Sequence, residues 1–134
     1  MNKVVYNNCY GGFSLSEAAV KWLMENAREE IKQFLAKELK KIKESDKTDS
    51  LPQFTSQIER AGNRLMWDFR EDGLPRHDKD LVACVEALGY KAASGFCSSL
   101  AIKELKGSTY RIDEYDGMET VYEPEDESYI YIKD

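Results

Sequence analysis

Lys3-Val4-Val5-Tyr6-Asn7-Asn8-Cys9-Tyr10-Gly11-Gly12-Phe13-Ser14-Leu15-Ser16-Glu17 passes from one structural period to another within fifteen residues. Lys3 to Tyr6 contains β-branched and aromatic residues, Val4, Val5 and Tyr6, and predicts a short strand. Asn7-Asn8 ends that strand, and Gly11-Gly12 permits a positive φ or a close backbone approach, so a sharp strand-to-helix turn is expected there. Ser14 stands three residues before Glu17, the spacing of a capping box. From Val20 the apolar residues step by three or four through Leu23, Ala27, Ile31, Leu35, Leu39 and Ile42. That spacing predicts one continuous helix to about Glu44.

Such a helix would be about 43 Å long. A compact chain of this length has a radius of gyration of roughly 14 Å. The far half should therefore overhang, with its apolar stripe covered by the next helix and by a second subunit. Ser45 to Pro52 is polar and turn-like. A second helix should start near Thr55 or Ser56, with Ile58, Ala61, Leu65 and Phe69 as its stripe, and should stop at Asp72-Gly73-Leu74-Pro75. The two helices make an αα-hairpin over about 15–70. A third helix is expected from Asp78 to Leu88, stopped by Gly89. The remainder reads as β: Leu100 to Leu105, Thr109 to Glu114, Glu119 to Tyr122 and Tyr129 to Ile132. Asp116-Gly117 is the strongest hairpin signal in the chain. The expected fold is a single α+β domain over 1–134, a small antiparallel or mixed sheet with a long helical hairpin and one further helix.

Composition narrows the function. The 134 residues are 42% hydrophobic and 33% charged, which fits one globular domain with a highly charged exterior. The net charge of -6 argues against general DNA or RNA binding, which needs a basic face. The lysines from Lys32 to Lys43 are interleaved with glutamates and read as a solvated helix face. Three scattered cysteines suggest free thiols in a reducing compartment. With no signal-like segment and no apolar run near the ~20 residues that span a bilayer, a cytosolic location without a membrane partner is expected.

Conventional catalysis finds little support. His77 is the lone histidine. It could pair with Cys9 or Cys97, but it reads as a surface or helix-start residue. No zinc spacing, Walker loop or dinucleotide fingerprint is present, and neither a metal nor a cofactor is expected. Binding is better served. On a strand of period two, Arg111, Asp113 and Tyr115 share one face: a bidentate cation, an acceptor and an aromatic plate. They suit a nucleotide-like ligand, although a solvated Arg–Asp pair beside a tyrosine is the plainer reading by composition. Asn8, Tyr10, Gly11, Gly12 and Phe13 offer similar parts. The glycine turn could also hold an anion at a helix start. Arg76, just after Pro75, could reach an anion or stay solvated.

The opening segment resembles the start of a group of small bacteriophage and prophage proteins. Leu74-Pro75-Arg76-His77-Asp78, Val85-Glu86-Ala87-Leu88-Gly89 and Tyr110-Arg111-Ile112-Asp113-Glu114-Tyr115-Asp116-Gly117 carry the same resemblance. The long helical segment, about Ala18 to Arg70, departs from it. Within that group the chain is similar to the Thoeris anti-defence sponges. The resemblance implies a non-enzymatic protein in the host cytoplasm that sequesters glycocyclic ADP-ribose, or a related cyclic nucleotide, made by TIR enzymes. It also implies a homo-oligomer, at least a dimer. Arg111, with Arg76 or Lys91, would then meet the pyrophosphate, and Tyr10, Phe13 or Tyr115 would stack on the base. A direct protein inhibitor and a small nucleotide-processing enzyme are the competing readings.

Overall fold

β1 (Lys3–Asn7) lies where the β-branched run predicts it and buries Val4 and Val5 completely. The computed structural model describes residues 2–45, 56–95 and 98–124. After β1 come α1 (Glu17–Asn26), α2 (Glu29–Ser45), α3 (Gln57–Asp68), α4 (Lys79–Leu88), the one-turn α5 (Tyr90–Ala93), β2 (Leu100–Glu104), β3 (Arg111–Tyr115) and β4 (Met118–Tyr122). The class is α+β, as expected. Among the described residues the strands form two antiparallel pairs, β1 with β2 and β3 with β4, rather than one sheet. The expected strand Tyr129–Ile132 and most of the loop before α3 lie outside the described residues.

The continuous first helix is not formed. Ala27 is extended, with φ -74° and ψ 168°, and separates α1 from α2. No Pro or Gly marks the break. Its cause is tertiary. The Arg28 backbone N–H donates to Asp80, and the Arg28 guanidinium bonds Asp78 at 2.7 Å and Asp80 at 2.7 Å. These partners stand at the start of α4, and Asp78 also caps that helix by accepting from the N–H groups of Asp80 and Leu81. One arginine thus ends α1, starts α2 and ties both to α4.

The overhang disappears with the break. Ile31, Leu35 and Ile42 of α2 are buried within the chain itself. Phe34 of α2 meets Phe69 edge-on, with centroids 5.4 Å apart. The expected αα-hairpin is therefore α2 with α3, while α1 adds Val20 and Leu23 to the same core as Leu65 of α3 and Leu81 and Val85 of α4. The capping box also moves. Ser16, not Ser14, caps α1 by accepting from Ala19 N–H, because Leu15 is drawn into a bridge with Ser94. α3 starts where expected, with Ser56 capping it by accepting from Glu59 N–H. Among the described residues no helix is long and apolar enough to cross a membrane.

The two strand pairs meet over a smaller apolar cluster. Val4, Leu105 and Val121 form its buried part, with Tyr6, Tyr110 and Ile112 against them. β1 uses its first edge for β2. Its second edge is closed by single bonds: Val5 N–H donates to the Arg76 carbonyl and Asn7 N–H to the Glu119 carboxylate.

The Arg28 node has a pH signature. Burial pushes the Asp78 carboxyl up, but the hydrogen bond and charge of Arg28, with the two backbone N–H groups, outweigh it and hold the group below its ordinary value. The stability this contributes is present above the unfolded carboxylate value of about 3.9 and is lost as pH falls through the folded value. Asp78 is 8% exposed and Arg28 33%, so Arg28→Ala should cost about 2 kcal/mol at neutral pH, between an exposed and a buried pair. Urea midpoints at pH 7, 5 and 3 are expected to converge between wild type and variant below about pH 4. A constant gap would assign the cost to packing alone.

Candidate functional site

Asn7 is fully buried at the end of β1. An amide side chain there must spend its whole bonding capacity on protein groups. Its Nδ2 donates to the carbonyls of Cys9 and Gly117, each at 2.8 Å. Its Oδ1 accepts from Ser99 N–H at 2.8 Å and from the Cys9 thiol at 3.4 Å. Its own N–H donates to Glu119 Oε1 at 2.8 Å. One residue thereby joins the opening loop, the segment before β2 and the β3–β4 hairpin.

The hairpin tip is built for that junction. Asp116 and Gly117 both have positive φ, 51° and 90°, as a two-residue Asp-Gly turn requires. A Cβ on Gly117 would lie 2.5 Å from Gly12 N and 2.5 Å from the Tyr10 carbonyl oxygen. The loop and the turn are in backbone contact. Glu114 steadies the tip by accepting from Gly117 N–H.

Below the junction, Arg76 forms a fork-to-fork pair with Glu119, at 2.6 and 2.8 Å. The two side chains are only 15% and 8% exposed. The Arg76 guanidinium also lies 3.7 Å from the centre of the Phe13 ring. Arg76 is thus neither solvated nor turned toward an incoming anion. It holds the loop to the hairpin, and Glu119 neutralises it.

The expected site residues divide. Asn8 is exposed, and its N–H bonds the Ser99 carbonyl. Tyr10 is 61% exposed and Tyr115 is 78% exposed. Gly11 is exposed, and its N–H reaches the Cys9 sulfur. Gly12 has φ +87°. Phe13 is half-buried against the core. Arg111 bonds Asp113 at 3.0 and 3.1 Å and lies over the Tyr122 ring. Both charges are about half exposed, 51% and 54%, as in the plainer sequence reading. Arg111 and Tyr115 stand at opposite ends of a five-residue strand, about 13 Å apart. The structure thus brings Tyr10, Gly12 and the turn after Tyr115 together. It leaves Arg111 a strand length away and Asp113 half that distance, on the same face, and places Lys91 on the exposed side of α5.

The glycine pair does not open a helix. Phe13 to Ser16 intervene, and Ser16 supplies the cap itself, so the loop and the α1 N-terminus are separate features. His77 is bonded through Nδ1 to the Tyr110 hydroxyl at 2.7 Å, not to a cysteine. The Cys9 thiol donates to Asn7 Oδ1 and the buried Cys84 thiol to the Ala19 carbonyl. Burial pushes the Cys84 thiol up to about 12. Cys97 lies outside the described residues. Among the described residues no group of three or more His, Cys, Asp or Glu side chains is placed to hold a metal.

Two residues central to this geometry, Asn7 and Glu119, escape a sequence reading aimed at exposed chemistry. A signal for Glu119 exists. By period two it shares a face with Val121, so a carboxylate falls in an inward register and demands a cation. What the junction can do is display two aromatic plates and an amide on a backbone locked from beneath, with an arginine–aspartate pair further along the same hairpin. No family model, no curated protein and no solved structure matches the chain.

Proposed function

We propose that the protein is a phage anti-defence sponge. It binds a cyclic ADP-ribose isomer, glycocyclic ADP-ribose in the first place, or a related cyclic nucleotide, and holds it uncleaved in the host cytoplasm, so that Thoeris defence is not triggered. One observation carries the reading. Two of the four segments that bear the resemblance, the first and the last in the chain, are joined by the Asn7 to Gly117 hydrogen bond across 110 positions. The resemblance thus falls on one physical unit, with Tyr10 and Tyr115 exposed beside it. In this reading a base stacks on those rings and the pyrophosphate draws Arg111 away from Asp113. That exchange is cheap, because an exposed ion pair contributes little stability. Sequestration needs affinity and no chemistry, and the single imidazole is engaged by Tyr110. Assembly with a second copy through the helices belongs to the same reading.

The test is capture and release. The protein is incubated with glycocyclic ADP-ribose, stripped of free ligand, denatured by heat, and the released molecule is assayed. Intact ligand is expected. A cleaved product would make the protein an enzyme, and no retained ligand would remove the sponge reading. Arg111→Ala should weaken capture by roughly tenfold or more, the usual effect of losing a charged hydrogen bond to phosphate. Unchanged affinity in that folded variant would take Arg111 out of the site. Direct inhibition of a host protein is favoured by a different surface. Trp67 on α3 is 62% exposed, and a groove lined by Met24, Ala36 and Leu39 lies along α1 and α2.

A further inference from the structure

A second concave surface lies at the other end of β1. Lys3 and Asn7 bound that strand, so the two ends are about 13 Å apart. Lys3 sits opposite Glu104 in the β1–β2 register and reaches across to Glu86 of α4 at 2.7 Å. This ion pair divides the surface into two grooves that share both of its residues.

The grooves differ in chemistry. The first, about 470 Å³, has Val85 and Ile102 in its wall, with Glu86, Glu104 and Tyr90 around them. Tyr90 is 56% exposed. The second, about 340 Å³, carries Lys3, Lys79 and His77 beside Val82 and Ala83. The His77 ring is steadied by the Tyr110 hydroxyl. One lobe offers hydrogen-bond acceptors and a ring face. The other offers cations. Each has the volume of a small-molecule site.

We infer that this double groove is a binding site for a small phosphorylated nucleoside, distinct from the loop–turn junction. Lys3 and Glu86 are common to both lobes, so the phosphate belongs in the one to which Lys79 and His77 are added, and not in the one to which Glu104 adds a second carboxylate. The carboxylates accept from ribose hydroxyls, the role acidic residues take in nucleotide folds. Tyr90 takes the base face. The Lys3–Glu86 pair is the pivot. Glu86 holds the Lys3 ammonium above its ordinary pKa, with a further contribution from Glu104, so the cation is present throughout the physiological range. Lys3 and Glu86 are 30% and 47% exposed, and a pair that accessible opens at little cost. Ligand entry then exchanges one ion pair for two contacts, Lys3 to phosphate and Glu86 to a hydroxyl.

The experiment is a titration of the intact protein with AMP, followed by calorimetry and by amide shifts. Saturable binding is expected, with shifts at Lys3, Lys79 and Tyr90. Adenosine, which lacks the phosphate, and ribose 5-phosphate, which lacks the base, should each bind more weakly. Lys79→Gln and Tyr90→Ala, both surface changes, should each weaken AMP binding by at least roughly fivefold. Arg64→Ala, on the exposed side of α3, should leave it unchanged. Absence of saturable AMP binding, shifts confined to the Tyr10 and Tyr115 region, or wild-type affinity in both groove variants would each overturn the assignment. The sponge reading is tested separately. Capture of glycocyclic ADP-ribose without AMP binding sinks the groove alone, and AMP binding lost in Lys79→Gln without capture of the cyclic ligand sinks the sponge alone.

Discussion

Glu119→Ala is expected to destabilise the protein by about 3–5 kcal/mol, the cost of removing one partner from a buried ion pair. Two losses combine. The Arg76 guanidinium, 15% exposed, keeps its charge with no carboxylate beside it. The Asn7 N–H, on a fully buried residue, loses its acceptor. Phe13 remains under Arg76 at 3.7 Å, but a ring face offsets little of a full charge. Urea denaturation should show a lower midpoint with an unchanged slope, since the same surface is exposed on unfolding. A second variant separates charge from packing. Arg76→Met with Glu119→Leu replaces the pair by apolar side chains, a change often neutral by itself. It should recover about 2 kcal/mol of the loss, leaving roughly 1–3 kcal/mol for the unsatisfied Asn7 N–H. A single-variant cost below about 1 kcal/mol would mean that water reaches Arg76, and that the pair behaves as an exposed one.

Much of this fold is written in local signals. Ser56, Asp78 and Gly89 start or stop helices where their chemistry says they should. Asp116-Gly117 turns the hairpin. These features need only neighbours within a few residues, which is why a sequence displays them. The break at Ala27 is different. Every residue from Ser16 to Glu44 tolerates a helix, and the apolar stripe runs through the break unchanged. What interrupts it is a pair of carboxylates 50 and 52 positions away. Local propensity is a weak prior against such a node. The Ser14 cap fails for a related reason, since the bridge from Leu15 to Ser94 delays the helix.

The candidate site was legible as two segments and not as one place. Gly11-Gly12 and Asp116-Gly117 each announce a turn. Nothing in either says that the turns touch. Arg76 was visible as a cation but not as one already neutralised, because the inward face of Glu119 calls for a cation without saying which one. Exposed side chains were easier to foresee. The Arg111–Asp113 pair follows from period two alone, and the structure shows it as an ion pair on the strand surface.

Gly117→Ala should separate the loop from the hairpin and so tests the junction directly. The added methyl faces two penalties. At φ +90° an L-residue is strained, by about 1 kcal/mol or more. Its Cβ would also stand 2.5 Å from Gly12 N and from the Tyr10 carbonyl oxygen. Both obstacles are backbone, so no rotamer change relieves them, and overpacking of this kind costs about 1–3 kcal/mol. The expected total is about 3 kcal/mol, measured by urea denaturation. Gly12→Ala is the control at the same junction. Its φ is also positive, but nothing lies within 4 Å of the new Cβ, so only the strain remains and the cost should be about 1 kcal/mol. The functional consequence follows the geometry. If Tyr10 and Tyr115 act as one platform, Gly117→Ala should lower capture of glycocyclic ADP-ribose well beyond the loss in Gly12→Ala, under conditions where both variants are folded. Equal capture by the two would show that the rings act independently of the contact between loop and turn, and the ligand would then have to be held from one side of the junction alone.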